Sequence, residues 1–238
     1  MMPAGGADLP PLFSRERLNQ MSIQPLFPDL ASPTLALGWG QIDRLYTAPD
    51  PEEWQDIEHA AAARQQEFIA GRNLAKGLAD SLGLPNIPLR RGDDRSPRWP
   101  TDRCGSLSHC STVCAAAVST TEVIESVGID LESVGRVETK LWPMLFTARE
   151  RDYLGQLEPE KANVEATVFF SAKESFYKCQ YPLTQSWVGF QDVELERSDD
   201  KVLRISPTNG DKQRWHVPPI HVAPVDEQHV ATLILLYR

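Results

Sequence analysis

Two stretches of this chain hold residues whose types and spacing can do chemistry. In residues 163–182, NVEATVFFSAKESFYKCQYP, the charged Lys173, Glu174 and Lys178 interrupt an otherwise apolar and aromatic run. Val164, Val168, Ala172, Phe176 and Cys179 recur every three or four residues, which predicts a helix with one apolar stripe. Glu174 and Lys178 are four apart and share a face of it. Taken alone, that pair reads equally as an ion pair on a solvated face. The second stretch, VIESVGIDLE (123–132), alternates: Val127, Ile129 and Leu131 point one way, Gly128, Asp130 and Glu132 the other. A strand's period of two sets the Asp130 and Glu132 carboxylates on one side, with Cα atoms about 6.5 Å apart. Hard divalent cations take oxygen ligands, and Mg²⁺ in particular uses few carboxylates plus waters and substrate phosphates. Asp130, Glu132 and Glu174 together therefore suit a metal held jointly with a phosphate substrate.

Positive charge for such a substrate is available. Lys173 and Lys178 lie on the same helix, and residues 90–103 contain five arginines (90, 91, 95, 98, 103) against three aspartates (93, 94, 102). Arg64 lies on the inward stripe of an earlier helical pattern with Arg72 beside it, about 12 Å further along the axis; snorkelling stems explain such a pair as readily as an anionic ligand does. In GSLSHC (105–110), Ser106, Ser108 and His109 sit on a short predicted strand, where hydroxyls and an imidazole can meet phosphate or ribose. Transfer at phosphorus is catalysed mainly by positioning and charge neutralisation. A serine-hydrolase reading fails because His109-Cys110 stands where a nucleophile elbow needs glycine. The spacing of Cys104, His109, Cys110 and Cys114 matches no common zinc pattern, so the four cysteines read as free thiols in a reducing compartment.

The elements that must position these groups follow from pattern. The chain has 238 residues, 41% hydrophobic and 24% charged, with net charge −9. That is ordinary for a soluble globular protein, and it argues against general nucleic-acid binding, which needs a basic footprint. No apolar run reaches the roughly 18 residues that span a bilayer, and no signal peptide is read at the start, so the expected location is cytoplasmic. Residues 1–33 are expected to wrap the surface as an irregular arm. A strand over 34–42 precedes a long helix over about 52–82, stopped by Gly83. Strands are expected over 104–110, 112–120 and 123–132. Thr147 and Glu150 form a capping box for a helix from about Ala148; the Lys173/Glu174 helix follows, then strands within WVGFQDVELE, KVLRIS, RWHVP and HVATLILLYR. The order predicts an α+β protein of two similar halves, 1–122 and 123–238.

In five blocks the chain resembles the 4′-phosphopantetheinyl transferases of the larger Sfp/EntD type: ARQQEFIAGRNLAKGL (63–78), RRGDDRSPRWPTDRCGSLSHC (90–110), VGIDLE (127–132), LFTARERDYL (145–154) and FFSAKESFYKCQYPLTQSWVGFQDV (169–193). The combination of G-[IV]-D-x-E with K-E-x-x-x-K is specific to this family. The resemblance implies a pseudo-twofold pair of α/β halves, each with a helix on a small antiparallel sheet. It implies transfer of the phosphopantetheine arm of coenzyme A to a serine of an apo acyl, peptidyl or aryl carrier protein, with Mg²⁺ or Mn²⁺, releasing 3′,5′-ADP. By the same resemblance Asp130, Glu132 and Glu174 match the metal positions, with Glu174 as base or orienter of a metal-bound water. Lys173 and Lys178 match lysines near the diphosphate, and Ser108-His109 the pair at the nucleotide end. Arg64, Arg72 and, by a looser alignment, Arg95 match basic contacts to coenzyme A. A monomer is implied. Since the carriers are acidic as well, docking is expected on a local apolar or basic patch from the loop after Arg136 through the 145–165 helices. Two rival readings are a Mg²⁺-dependent nucleotide-diphosphate hydrolase and a non-catalytic coenzyme A- or carrier-binding module.

Overall fold

The computed structural model describes residues 22–208 and 217–238. Two antiparallel sheets divide the chain between them. The first is ordered β1 (Gln24–Pro25), β2 (Leu35–Gln41), β4 (Val113–Thr120), β3 (Arg103–Cys110). The second is ordered β5 (Ile124–Ser133), β9 (His229–Tyr237), β8 (Ile220–Pro224), β7 (Val202–Pro207), β6 (Val193–Asp199). The short helices α1 (Ile42–Leu45) and α2 (Pro51–Gln55) precede α3 (Ala62–Ser81), and α4 (Trp142–Leu145) and α5 (Ala148–Gly155) precede α6 (Pro159–Thr184). The protein is α+β, with α3 packed on the first sheet and α6 on the second.

Strand alternation sets the layers. In β4, Cys114, Ala116 and Val118 face Leu74, Ala75 and Leu78 of α3. Its intervening residues Val113, Ala115 and Ala117 join Leu35 and Leu37 against Ile129, Leu131, Leu233 and Leu235 of the second sheet. β4 is buried on both faces, and its alanines keep helix and sheet close. Beyond the second sheet, Val168, Phe169, Ala172, Phe176 and Cys179 of α6 close a third core with Leu195, Leu203 and Ile234. Each large side chain so buried contributes roughly 1.5–3 kcal/mol. Edge strands β3 and β5 are stitched by Ser106 Oγ, which accepts from the Ile129 amide at 3.0 Å.

Gly128 fixes how closely α6 lies on β5. A Cβ there would fall 1.8 Å from the Ser175 carbonyl oxygen, so only glycine lets the helix backbone rest on this strand. The apolar stripe of α6 begins one turn later than its spacing suggested, because Val164 is 40% exposed. The capping box is present: Thr147 Oγ1 accepts from the Glu150 amide and Glu150 Oε2 from the Thr147 amide.

Three expectations are corrected. The helix expected over 52–82 is broken at 56–61. Asp50 caps α2 ahead of Pro51, the chain turns out, and Gln65 Nε2 braces the turn by donating to the Glu58 and Ile57 carbonyls. The described part of the supposed surface arm enters the core instead: Ile23, Leu26 and Phe27 are buried and β1 pairs with β2; residues 1–21 lie outside the described residues. At the C-terminal end, β6 starts only at Val193, and β8, which pattern did not reveal, pairs with β9. Most of RWHVP lies outside the described residues. Among the described residues no helix is long and apolar enough to cross a membrane.

Candidate active site

The close approach at Gly128 presents the polar face of β5 to one face of α6. Asp130 is 3% exposed, and its Oδ1 accepts from Lys178 Nζ at 2.7 Å and from Ser108 Oγ at 2.9 Å. Lys178 Nζ also donates to Ser108 Oγ and the Ile129 carbonyl, at 3.1 and 3.2 Å. The other carboxylate oxygen, Asp130 Oδ2, is buried with no hydrogen-bond partner. Such an atom is costly to leave bare. Glu132 accepts from Arg136 Nη1 at 2.9 Å; burial, with Asp130 adding to it, still pushes its carboxyl up to about 7. Glu174 is half-buried and makes no hydrogen bond among the described residues, and burial together with Asp130 raises its pKa while Lys178 and Arg136 oppose the shift.

Three carboxylates thus share a poorly hydrated face, two of them raised by burial and by Asp130. Perturbed carboxyls in a cleft mark functional sites. Among the described residues no group of three His, Cys, Asp or Glu side chains is gathered tightly enough to cage a metal ion alone. The donor set fits a hard divalent cation that takes its remaining ligands from water and substrate phosphate, and Asp130 Oδ2 is an oxygen left without a partner.

The cationic side comes from the first half. Ser108 and His109 are neighbours on β3, so strand alternation splits them. Ser108 joins Asp130 and Lys178, while His109 faces α3, where Arg64 Nη1 donates to its Nε2. Glu67 Oε2 takes a second bond from Arg64 Nη1 at 3.1 Å and lies 3.5 Å from His109 Nδ1. Burial, with Arg64, Lys178 and Arg72 adding to it, lowers the His109 pKa, and Glu67 opposes them. Arg72 is buried over the Phe68 ring, its Nε donating to the Leu89 carbonyl, and burial lowers it to about 10. A cleft of about 580 Å³ opens between the halves, lined by Arg95, Trp99, Ser106, Tyr177, Lys178 and Tyr181 among others. A larger cavity, about 630 Å³, lies by α1 and α3 and shares no residue with this cleft.

Comparison with known proteins shows the family of the chain. Residues 52–119 match the model of the 4′-phosphopantetheinyl transferase N-terminal domain, and residues 126–234 that of the 4′-phosphopantetheinyl transferase superfamily. The 4′-phosphopantetheinyl transferase Svp of Streptomyces mobaraensis is 34% identical over 171 residues, covering 68% of this chain and 70% of Svp. The chain belongs to the 4′-phosphopantetheinyl transferase superfamily. PptT of Mycobacterium tuberculosis, another 4′-phosphopantetheinyl transferase, is 34% identical over 152 residues, 64% of this chain and 66% of PptT. Enterobactin synthase component D of Escherichia coli K12 is 32% identical over 144 residues, 60% of this chain and 66% of that protein. The match therefore spans about two thirds of each of these relatives. Among solved structures, a Bacillus anthracis holo-(acyl-carrier-protein) synthase in complex with CoA (3′,5′-ADP) aligns over 48% of this chain and 97% of its own, at 19% identity and TM-score 0.38.

Within this transferase the structure gathers Asp130, Glu132, Glu174, Lys178 and Ser108 at one place, with His109 one strand residue away, turned to Arg64 on α3, and Arg95 on the cleft wall. It does not bring Lys173 there. The Lys173 ammonium is 1% exposed as a side chain and pairs with Glu150 Oε2 at 2.7 Å. It also donates to the Leu145 and Phe190 carbonyls at 3.2 and 2.6 Å. All three of its protons are used, and the expected diphosphate contact is replaced by an internal ion pair. The arginine patch is likewise divided: Arg90 is consumed by Asp56, and Arg103 by Asp102 and the Pro85 carbonyl. Sequence reasoning missed Glu67 and Arg136. The i,i+3 spacing of Arg64 and Glu67 on a helix was a usable signal; nothing local marked Arg136.

Proposed function

We propose that this transferase moves the 4′-phosphopantetheine arm of coenzyme A onto a serine of an apo acyl, peptidyl or aryl carrier protein and releases 3′,5′-ADP. The observation that supports it most is the bare, buried Asp130 Oδ2 beside two carboxyls raised by burial, next to Lys178, which with Arg95 lines the cleft. In this reading the serine oxygen bonds to the β-phosphorus of coenzyme A as the bond from phosphorus to the 3′,5′-ADP oxygen breaks. The serine proton passes to Glu174, a carboxylate whose pKa burial and Asp130 raise above the ordinary value, which strengthens it as a base. Lys178 neutralises charge on the diphosphate, Arg64 and His109 meet the nucleotide phosphate, and Arg95 meets the arm from the cleft wall. Asp130, Glu132 and Glu174 would hold Mg²⁺ or Mn²⁺, which supplies charge neutralisation at the phosphoryl oxygens.

The two halves, 1–122 and 123–238, each give part of one cleft within a single chain, which supports a monomer. Free thiols at Cys104, Cys110, Cys114 and Cys179 support a reducing cytoplasm. For carrier docking the exposed Met144 and Val164 favour an apolar patch over a basic one.

Incubation with coenzyme A, Mg²⁺ and an apo carrier is expected to add the phosphopantetheine mass to the carrier. Free phosphopantetheine with unmodified carrier would establish a hydrolase instead, and binding without either product a non-catalytic module. Glu174→Gln is expected to lower kcat about 10³-fold while coenzyme A binding persists. Full activity in that variant removes Glu174 from the chemistry.

A further inference from the structure

Residues 90–98 form a small hairpin outside both sheets, and its base is held by the broken helix rather than by a strand. Across the hairpin, the Arg98 amide donates to the Arg90 carbonyl at 2.8 Å and the Gly92 amide to the Ser96 carbonyl at 2.7 Å. At its tip Arg95 has φ +70°, a left-handed conformation unusual outside glycine. Asp94 Oδ1 braces this turn by accepting from the Ser96 amide and hydroxyl at 3.0 and 2.7 Å. Arg95, Ser96 and Pro97 of this hairpin line the cleft.

The anchorage lies at the other end. Asp56, in the break between α2 and α3, accepts from Arg90 Nε and the Arg91 amide through Oδ2, at 3.0 and 2.7 Å, and from Arg90 Nη2 through Oδ1 at 2.9 Å. The Asp56 side chain is 11% exposed. One residue before the hairpin, the Leu89 amide donates to Glu53 Oε1 at 2.8 Å, and the other oxygen of Glu53 pairs with Lys76 at 2.8 Å. A bidentate guanidinium pair plus a backbone amide on one carboxylate fixes direction as well as distance. The helix break is what frees Asp56 to turn toward this strap.

We propose that Asp56 is a positioning residue for the transfer reaction: its clamp on Arg90 and the Arg91 amide fixes the hairpin that presents Arg95 to the coenzyme A cleft. The inference rests on the reading of the cleft given above. Arg90 is thereby a strut rather than a ligand, and the acidic Asp56 strengthens anion binding without touching the anion. A residue that only stabilised the fold would reduce the folded fraction and hence apparent kcat, leaving KM alone.

In the full-length chain, Asp56→Ala is expected to raise KM for coenzyme A about tenfold while kcat stays within about twofold. Amide hydrogen exchange is expected to quicken over 89–98 but not in α3 or the sheets. Asp56→Asn keeps an acceptor for the Arg91 amide and is expected to fall between. An unchanged KM with unchanged hairpin exchange overturns the proposal, and so does a loss confined to kcat. Should Asp56→Ala fail to fold, Arg90→Gln at the more exposed end of the clamp must raise KM in the same direction, and an unchanged KM there is equally fatal. If the unaltered chain transfers nothing, the underlying reading of the cleft fails, and hairpin exchange in Asp56→Ala still decides whether the clamp exists.

Discussion

The two halves hold the charged groups at the site differently. In the second half, charged groups are sunk between helix and strand: Lys173, Asp130 and Glu132 are 2%, 3% and 7% exposed. In the first half Arg72 and Arg103 are buried as well, 7% and 4% exposed, but the Arg64 and Arg98 side chains stand out at 51% and 62%. A glycine marks each arrangement. At Gly128 a Cβ would collide with the backbone of α6, whereas at Gly71 in α3 it would meet nothing within 4 Å. The acidic side is therefore tightly packed between helix and strand, an arrangement that suits preorganised charge. The cationic side is open and depends on local clamps such as Asp56.

That contrast breaks most visibly at the glycines. Gly128→Ala forces α6 off β5 and is expected to cost at least about 3 kcal/mol, a drop of roughly 6–12 °C in melting temperature for a chain of this size. Gly71→Ala fills open space within a helix and is expected to gain about 0.5–1 kcal/mol. Calorimetry on the two variants checks both. Equal effects would mean that the helices lie equally close to their sheets, and the distinction between the halves would go.

Lys173→Met tests the buried pair next to the site. Removing one partner of a buried ion pair usually costs about 3–5 kcal/mol. Here Glu150 keeps the Thr147 and Leu195 amides as donors, so about 2–3 kcal/mol is expected. Because Lys173 is committed internally, the same variant should keep KM for coenzyme A within about twofold at temperatures where it stays folded. A large rise in KM would return Lys173 to the diphosphate.

How much of this was legible in the sequence depends on the range over which each signal acts. Period two along β5 placed Asp130 and Glu132 together, and the capping box at Thr147 and Glu150 appears as read, because both are set by neighbouring residues. The same period two separates Ser108 from His109, a consequence that reading them as a pair overlooked. The destination of Lys173 was not legible, since spacing gives a helical face but not the partner that folds onto it from 23 residues away. Nor was the break at 56–61, where Ile57 and Ala61 continue the three-four spacing. It is stabilised by Asp56 turning to Arg90, 34 residues on.

His109, held against α3 by Arg64 and Glu67, offers the finest test. Burial lowers its pKa, Glu67 opposes the shift, and Arg64, Lys178 and Arg72 add to it. Since its folded pKa lies below the usual 6.5, the unfolded chain binds more protons in the interval between the two values. Its contribution to stability is then lost as pH falls below about 6.5 toward the folded pKa, and His109→Gln should flatten that part of the pH–stability curve. If His109 also meets the nucleotide phosphate, an added anion favours the imidazolium, so its pKa should rise when 3′,5′-ADP binds. Proton NMR of the imidazole with and without the nucleotide reads that shift directly. An unmoved titration would leave Arg64 without its partner at the phosphate and would confine His109 to packing between α3 and β3.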